Sequence, residues 1–306
     1  MKKSTSIILL SVLFVVVFIA SALITIQLTG SAPMRLLNVE WYGDIYQDLP
    51  YENENGHCYD MYVPDDLQGV SQNLILFIHG GSFNSGAKED GDAWCKFYGS
   101  KGYITATLDY SLHGVHDNAD LHTMNDQVKS CVTAIEKQCR EFGYSLESMA
   151  VCGVSAGGTL AMNYAYKCAE TSAVPIAFVF QLAGPTDFTP ADWGLLKKVN
   201  GWENDAAFVC HMTGIATTAE DWTEQIREIS PAGQISENSV PTLLGYGLRD
   251  HVVPANQKDM LLKALEEHQV PHNYVAFPNS NHGMYADLDQ LQIFIDLSLS
   301  YCEKYF

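Results

Sequence analysis

A short glycine-rich turn between two regular elements constrains the fold of this chain more than any other feature. Residues 153–158 read GVSAGG. They follow the apolar run 149–154, which predicts a buried strand, and they open a stretch rich in Ala, Leu and Met, which predicts a helix over 156–170. Only small neighbours leave room for so sharp a turn, so the pattern predicts a strand, a tight turn with Ser155 at its apex, and a helix.

Along the rest of the chain, the period of hydrophobicity alternates between the patterns typical of strands and of helices. The predicted strands cover residues 74–78, 103–108, 149–154, 175–182, 240–245 and 273–277, and the predicted helices cover 126–142, 156–170, 255–268 and 287–304. This order predicts an α/β fold in which a mostly parallel sheet is covered by helices on both faces. Since 47% of the 306 residues are apolar, the chain can bury one large core.

We expect one catalytic domain over residues 58–306, preceded by a linker and surface loop over 33–57. Residues 187–229 interrupt the alternation and predict a small lid over the carboxyl ends of the strands. This segment carries many large aromatic residues, namely Phe188, Trp193, Trp202, Phe208 and Trp222. Packing of these aromatic side chains on the core, without a lid function, explains their number equally well.

Ser155 becomes a useful nucleophile only with a general base and a carboxylate that orients the base, because a serine hydroxyl is a weak nucleophile at neutral pH. Asp250 follows the predicted strand 240–245, and His282 follows the predicted strand 273–277. The carboxyl ends of parallel strands lie at one edge of a sheet, so all three side chains would meet there. The predicted catalytic triad is therefore Ser155, Asp250 and His282.

Three other residues compete for two of these roles. His251 is a second candidate base, but a residue adjacent to Asp250 cannot easily be oriented by that carboxylate. Asp287 and Asp289 are candidate carboxylates, but they precede or open the last predicted helix, where negative charge suits the helix dipole. The triad named above remains the preferred interpretation.

Ester or amide hydrolysis also needs hydrogen-bond donors for the oxyanion of the tetrahedral intermediate. Residues 79–83 read HGGSF and follow the predicted strand 74–78, where such donors are wanted. We expect the backbone N–H groups of Gly81, Ser82 and Ala156 to form the oxyanion hole, while His79 braces the loop. Gly80, Gly153 and Gly157 complete the two motifs.

These motifs together resemble those of the α/β-hydrolase family, and within it the small esterases related to hormone-sensitive lipase and the bacterial feruloyl and acetyl esterases. The resemblance spans about residues 58–306 and includes YDMYVP at 59–64, LDYSL at 108–112, Asp126 before a helix, and Ser230-Pro231 after the lid. Three positions depart from the family pattern: Ser82 replaces a third glycine, Val154 an aspartate and Ser111 an arginine. They bear on subfamily and substrate rather than on the triad.

The resemblance implies a serine carboxylic-ester hydrolase that forms an acyl-enzyme and needs no cofactor. Because the predicted lid is small, we expect short-chain acyl esters as substrates, with acylated carbohydrate as an associated possibility. A serine peptidase or amidase with the same triad is one alternative. A non-catalytic binding module on the hydrolase scaffold is another, although the intact triad argues against it.

Residues 7–28 form an apolar run without a charged side chain. At about 1.5 Å per residue, a helix of this length spans roughly 33 Å, enough for a bilayer core of about 30 Å. Two lysines precede the run and only Arg35 follows closely, so the positive-inside rule predicts a membrane anchor with the catalytic domain outside the cytoplasm. Residues 20–22 read ASA, which resembles a signal-peptide cleavage site, so a secreted protein is the alternative, ahead of a buried core helix.

The charge of the chain and one polar loop bear on its partners. A formal net charge of −19 repels phosphate backbones and makes nucleic acid an unsuitable partner. One predicted loop concentrates side chains that can bind metals, namely His113, His116, Asp117, Asp120 and His122. We expect a solvated loop at the rim of the site rather than a metal centre.

The eight cysteines do not have the spacing of a disulfide framework. Cys131 and Cys139 fall on one predicted helix about 12 Å apart, beyond the roughly 7 Å limit for a disulfide. The sequence contains no CxxC motif, so a structural zinc site is also not expected.

Overall fold

The computed structural model describes residues 35–52, 57–65, 67, 69–116, 119–189, 193, 204–216, 222–254 and 256–306. The strands in these ranges are β1 (Gly43–Pro50), β2 (Cys58–Pro64), β3 (Ser71–Ile78), β4 (Ile104–Leu108), β5 (Ser145–Val154), β6 (Ile176–Leu182), β7 (Thr242–Gly247) and β8 (His272–Phe277). The α-helices are α1 (Asp92–Gly99), α2 (Leu121–Glu141), α3 (Ala156–Lys167), α4 (Asp205–Thr213), α5 (Trp222–Ile229), α6 (Asn256–Glu267) and α7 (Leu288–Tyr305).

All of these strands belong to one sheet, in the order β1-β2-β4-β3-β5-β6-β7-β8. β2 pairs antiparallel with β1 and with β4, and every other neighbouring pair is parallel. β4 is buried at every residue, as is typical of a strand covered on both faces. The predicted α/β fold is confirmed, and the parallel arrangement brings the loops after β3, β5, β7 and β8 to one edge of the sheet.

Part of the segment expected to be a linker belongs to the sheet. Gly43–Pro50 forms β1 and pairs with β2 from Gly43 opposite Pro64 to Pro50 opposite Cys58. Leu37, ahead of this strand, is buried in the core. The expectation of a linker over 33–57 is therefore wrong for the region around β1. The sequence pattern does not reveal this strand because it lies at the edge of the sheet and most of its residues are exposed, so it lacks an apolar run.

Helix α2 begins at Leu121, five positions before the residue 126 predicted from hydrophobicity. Asp120 caps it, because the side chain of Asp120 accepts a hydrogen bond of 2.8 Å from the backbone N–H of Thr123. Leu121 and Met124 are buried, so the apolar face of the helix extends into the added turn. The sequence pattern does not predict helix α1, a short helix that comes after the HGGSF segment and before β4.

The described part of the segment 187–229 packs on the core. Phe188 stacks on Trp193 with ring centroids 6.0 Å apart, and Trp193 contacts Phe208 at 5.7 Å. Phe188 also meets Phe83 at 5.9 Å, which joins this segment to the loop after β3. Trp202 lies outside the described residues. These contacts match the alternative explanation given for the aromatic residues of this segment.

The predicted membrane segment, residues 7–28, lies outside the described residues, so the anchor and the signal peptide both stay predictions. Within the described ranges, no helix has the length and apolar character needed to cross a membrane. All eight cysteines are free thiols. Cys131 and Cys139 both lie on α2 and are buried.

Candidate active site

Ser155 lies in the turn between β5 and α3, at the apex that the sequence predicts. Its backbone has φ 55° and ψ −124°, a strained combination for a residue with a side chain. The backbone N–H of Ser155 donates a 2.8 Å hydrogen bond to the carbonyl oxygen of Leu182 on β6. A Cβ at Gly153 would collide with the backbone of Gly157, and one at Gly157 would collide with the carbonyl oxygen of Ile78. The two glycines are therefore required by the close approach of backbone segments.

The structure brings Ser155, His282 and Asp250 into one hydrogen-bonded chain. His282 Nε2 lies 2.9 Å from Ser155 Oγ, and His282 Nδ1 lies 2.7 Å from Asp250 Oδ2. If Nδ1 carries the proton that it donates to the carboxylate, Nε2 is left as an acceptor for the serine hydroxyl. This is the arrangement needed to remove the hydroxyl proton.

Asp250 is held in place by more than the histidine. Its side chain is 1% exposed, and Oδ1 accepts hydrogen bonds from the backbone N–H groups of Val252 at 2.8 Å and Val253 at 3.0 Å. The two carboxylate oxygens thus have separate tasks, since one fixes the loop after β7 and the other faces His282. These contacts fix the position of the carboxylate beside the imidazole.

The competing residues are placed elsewhere. His251 is exposed and lines a separate surface depression with Arg249 and Asn279. Asp287 accepts hydrogen bonds from the backbone N–H and the side-chain amide of Asn279, each 2.9 Å long, and from Ser280 Oγ at 2.7 Å. Partial burial alone would raise the pKa of Asp287, but these hydrogen bonds lower it.

Asp287 consequently joins the two ends of the loop that carries His282, because it lies at one end and bonds residues at the other. The sequence placed Asp287 near the start of the last helix, and it is the N-cap residue of α7, but its side chain makes no capping hydrogen bond. Its carboxylate instead faces backward to the residues that follow β8. Its role in the loop went unpredicted because it depends on the path of the chain between residues 279 and 287.

Two of the three predicted oxyanion donors line the same cavity as Ser155, and the third directly follows Ser155 in the chain. Gly81 and Ser82 line the cavity above Ser155, and Ala156 is the first residue of α3. The N–H of Ala156 has no acceptor inside the helix, because it lies in the first turn. Among the described residues, no hydrogen bond uses the backbone N–H of Gly81 or Ser82. These N–H groups are therefore free to bind a ligand oxygen.

The oxyanion loop, which we define as residues 79–86, has an unusual backbone. Gly81, Ser82 and Phe83 have φ values of 111°, 53° and 62°, all in the region that favours glycine. The carbonyl oxygen of Gly81 accepts three hydrogen bonds, from the N–H of Asn84 at 3.1 Å, the N–H of Ser85 at 3.0 Å and Ser85 Oγ at 2.9 Å. The loop is thus a tight turn closed on itself.

His79 braces this loop from below. It is 1% exposed, and its Nδ1 lies 2.7 Å from the carbonyl oxygen of Gly80. Its ring stacks on Tyr110 with centroids 4.2 Å apart, and the Tyr110 hydroxyl donates to the carbonyl oxygen of His79 at 3.0 Å. Burial lowers the pKa of His79, so the ring is neutral and Nδ1–H donates to Gly80. Tyr110 lies in the LDYSL motif, which is the only sequence signal for this contact.

A buried lysine anchors the chain directly after the oxyanion loop. The side chain of Lys88 is 4% exposed, and its Nζ lies 3.0 Å from Asp48 and 3.2 Å from Asp60. The backbone N–H of Lys88 donates to Asp109 at 2.9 Å. Burial alone would lower the pKa of Lys88, but hydrogen bonds to Glu89, Asp48 and Asp60 raise it. Sequence reasoning missed this cluster because its members come from four distant segments.

Ser155 and His282 line a cavity of about 680 Å³ that opens to solvent. Its polar wall includes Gly80, Gly81, Ser82, Ser155 and His282, and its apolar wall includes Leu37, Trp94, Leu182, Leu291 and Ile295. Among the described residues, none from the segment 187–229 lines this cavity. The part of the predicted lid that can be described therefore does not cover Ser155.

The polar loop considered as a metal site is held by hydrogen bonds within the protein. His113 Nδ1 lies 2.9 Å from the carbonyl oxygen of Ala119, and His116 Nδ1 accepts from the N–H of Leu112 at 2.9 Å. Asp120 caps α2, and Asp117 lies outside the described residues. In the part of the chain that the structure describes, no group of three or more His, Cys, Asp or Glu side chains is arranged to hold a metal ion.

Comparison of the sequence with known proteins identifies the family of this chain. The model of the BD-FAE family matches residues 59–265, about two thirds of the chain, including Ser155 and Asp250. The chain belongs to the BD-FAE family. His282 lies beyond the matched residues, so this BD-FAE protein completes its hydrogen-bonded chain with a residue from outside them.

Two curated relatives are similar to this BD-FAE protein in sequence. Esterase LipC of Mycobacterium tuberculosis is 23% identical over 76% of this chain and 58% of its own length. The acylamino-acid-releasing enzyme of Arabidopsis thaliana is 24% identical over 85% of this chain and 32% of its own length. The chain thus spans little more than half of the first relative and about a third of the second.

Solved structures share the fold of this BD-FAE protein at low sequence identity. Esterase B of Lactobacillus rhamnosis superposes with a TM-score of 0.70 at 13% identity, covering 94% of this chain and 96% of that one. A truncated carbohydrate esterase from gut microbiota gives a TM-score of 0.67 at 15% identity, covering 88% and 98%. A thermophilic esterase of Thermogutta terrifontis gives 0.65 at 17%, covering 85% and 91%. The α/β-hydrolase fold expected from the motifs is confirmed.

Proposed function

We propose that this BD-FAE protein is a serine carboxylic-ester hydrolase. The observation that carries the proposal is the hydrogen-bonded chain from Ser155 through His282 to Asp250, with distances of 2.9 and 2.7 Å, whose first two members line an open cavity. The names of its relatives, among them esterase LipC and esterase B, support the same reaction class.

In the proposed reaction, Ser155 Oγ attacks the acyl carbon while His282 Nε2 accepts the hydroxyl proton. Asp250 stabilises the imidazolium that forms. The N–H groups of Gly81, Ser82 and Ala156 bind the oxyanion of the tetrahedral intermediate. His282 then gives its proton to the leaving alcohol, and the acyl group stays on Ser155. A water molecule then gives a proton to His282 Nε2 and attacks the acyl carbon. The bond to Ser155 Oγ breaks, His282 returns the proton to Oγ, and the acid leaves.

We further propose short-chain acyl esters of a carbohydrate as the substrate class. Tyr285 is 44% exposed at the mouth of the cavity, and it also lines the depression that holds Asn279, Asn281 and Arg249. An aromatic ring beside amide and guanidinium donors suits the apolar face and the hydroxyl groups of a sugar. The likeness to a carbohydrate esterase supports this choice.

A serine amidase is the second candidate, and the likeness to acylamino-acid-releasing enzymes favours it. The two candidates differ in the leaving group, since an amine needs protonation before it departs and an alcohol is released more easily. Hydrolysis of N-acetyl-alanine p-nitroanilide at a higher kcat/KM than p-nitrophenyl acetate would select the amidase.

The first test compares the full-length protein with its Ser155→Ala variant on p-nitrophenyl acetate, butyrate and octanoate. Turnover by the wild type that falls at least a thousandfold in the variant supports the proposal. Ser300→Ala is the matched control, because Ser300 is exposed on α7 and bonds only Asp296 within its own helix. Equal, background-level rates in all three proteins would contradict an esterase and favour the binding module.

We also propose that residues 7–28 anchor the protein in a membrane with the catalytic domain outside the cytoplasm. The support is the uncharged apolar run and the lysines that precede it. Membrane fractionation combined with the intact mass of the amino end distinguishes a retained anchor from a cleaved signal peptide. A soluble product that begins after residue 22 would contradict the anchor.

A further inference from the structure

The cavity around Ser155 has two unlike ends. At the rim, Val252 and Tyr285 are 41% and 44% exposed. At the closed end, Trp94, Leu182 and Ile295 are all at most 9% exposed. The rim is thus open to solvent, whereas the closed end is an apolar pocket within the core.

The proposed reaction, on which this inference rests, assigns one half of the ester to each end. The leaving alcohol must depart to solvent while the acyl group remains bound to Ser155. His282, which protonates the leaving oxygen, is followed three positions later in the chain by Tyr285 at the rim. The alcohol therefore occupies the open side, and the acyl chain points into the closed end.

Trp94, on α1, forms the wall at which the closed end stops. Trp94 lines the cavity of about 680 Å³ and also a second void of about 10 Å³. The other residues around this small void include Phe77, Cys152 and Phe294. Val154 and Leu182 border both spaces as well. The void is too small for a methylene chain, and it adjoins the cavity through the residues that the two share.

The indole of Trp94 is held between two aromatic neighbours. It stacks on Phe77 with centroids 5.7 Å apart and an interplanar angle of 17°, and on Tyr98 at 6.3 Å and 17°. The Tyr98 hydroxyl is 2.6 Å from Ser298 Oγ on α7, so the stack is tied to a second helix. An indole packed in this way cannot swing aside to admit a longer chain without breaking these contacts.

We propose that Trp94 sets the length of acyl chain that the site accepts, by separating the acyl pocket from the small void that it also lines. The lid segment 187–229 was the basis for expecting short acyl chains, but none of its described residues lines the cavity. The limit on chain length comes instead from a residue of the core. Trp94 is thus a specificity-determining residue rather than part of the proton-transfer machinery.

The test measures kcat/KM for p-nitrophenyl acetate, butyrate, hexanoate and octanoate with the full-length wild type, Trp94→Ala and Trp94→Phe. Removing the indole joins the pocket to the void, so the ratio of octanoate to butyrate should rise at least tenfold in Trp94→Ala. Trp94→Phe keeps the stack but shortens the wall, and the gain should then be confined to hexanoate. The gain should appear mainly in KM, because chain binding changes and the reacting groups do not.

Phe97→Ala is the matched control. Phe97 lies on the same helix and is 7% exposed, but it does not line the cavity. This variant should lose stability as Trp94→Ala does while keeping the wild-type chain-length ratio. Thermal unfolding of each variant shows whether it is folded. If Trp94→Ala does not fold, the hexanoate-to-butyrate ratio of Trp94→Phe is used instead.

Two results would overturn the inference. One is an unchanged octanoate-to-butyrate ratio in a folded Trp94→Ala protein or, where that variant does not fold, an unchanged hexanoate-to-butyrate ratio in a folded Trp94→Phe protein. The other is a changed preference among methyl, butyl and hexyl butyrate with no change along the acyl series, because the closed end would then hold the alcohol. Failure of the proposed function is distinct, since the wild type would then hydrolyse none of these esters.

Discussion

The serine turn and the oxyanion loop both present backbone N–H groups to the cavity, but they achieve their shapes in different ways. The serine turn, residues 153–158, has glycine where two parts of its backbone come close together, as Gly153 and Gly157 do. The oxyanion loop places Ser82 and Phe83 in the left-handed region and depends on His79, Tyr110 and Lys88 to hold it. Local composition thus determines one half of the site, and contacts between distant segments determine the other.

The largest loss of stability is expected from a substitution within the serine turn. In Gly153→Ala, the new Cβ would collide with the backbone of Gly157, which cannot move without displacing α3. We expect a loss of about 3 kcal/mol or more in the free energy of unfolding, measured by urea denaturation. Gly158→Ala is the control, since its Cβ would lie 3.1 Å from Gln181 Oε1 and from Gly184 Cα. Equal stability of the two variants would show that the turn is not locally determined.

A similar loss is expected from Lys88→Met, although Lys88 touches no part of the substrate cavity. The substitution leaves Asp60, whose side chain is 2% exposed, without its ion partner. Breaking a buried ion pair in this way costs about 3 to 5 kcal/mol, and thermal or urea unfolding measures it. Lys96→Met removes a half-exposed pair with Asp92 at 2.9 Å and should cost less than about 1 kcal/mol. If Lys88→Met is no worse than Lys96→Met, the cluster does not support the loop.

A smaller effect, mainly on catalysis, is expected from His79→Phe. The aromatic stack on Tyr110 survives, but the hydrogen bond to the carbonyl oxygen of Gly80 is lost, so the oxyanion donors become less well placed. We expect kcat for p-nitrophenyl acetate to fall about tenfold with little change in KM. A change confined to KM would mean that His79 does not position the donors.

His79→Phe should also change how the stability of the protein depends on pH. Burial lowers the pKa of His79 in the folded protein below the value of about 6.5 expected in the unfolded chain. Its contribution to stability is therefore fully present above that value and is lost as the pH falls toward and through the folded-state pKa. His79→Phe should remove this part of the acid sensitivity, so the stability difference between wild type and variant narrows or reverses as the pH drops below about 6.5. Parallel stability curves for the two proteins would contradict a buried neutral His79.

The smallest effect is expected for Ser82→Gly. Ser82 has φ 53°, a conformation that glycine adopts without strain, while glycine also loses more backbone entropy on folding. These contributions are each about 1 kcal/mol and oppose one another, so unfolding should shift by less than about 1 kcal/mol and activity should stay within about threefold. A large loss of activity would mean that the Ser82 side chain, and not only its N–H, takes part.

The same contrast explains what could be predicted from the sequence. The serine turn, most strands and the positions of Asp250 and His282 follow from local signals: glycine spacing, apolar runs and loops at strand ends. The edge strand β1, the bracing by Asp287, the Lys88 cluster and the wall formed by Trp94 have no such signal. Each depends on which distant segments become neighbours, and the hydrophobicity of a single stretch does not encode that.

The extent of the family match adds to this contrast. Residues 59–265 contain Ser155, Asp250 and the oxyanion loop, but Leu37, His282 and Leu291 lie outside them. The cavity is therefore closed by the segment before β1 and by the region from β8 to α7. Variation in these flanking segments would alter the pocket without changing the serine turn.

Covalent labelling tests the central claim most directly. The full-length protein and its His282→Ala variant are treated with a fluorophosphonate, and the modified residue is identified by peptide mass spectrometry. We expect one adduct, on Ser155, that forms rapidly in the wild type and at least a hundredfold more slowly in the His282→Ala variant. Absence of an adduct on Ser155 in the wild type, or equal labelling rates in the two proteins, would contradict it.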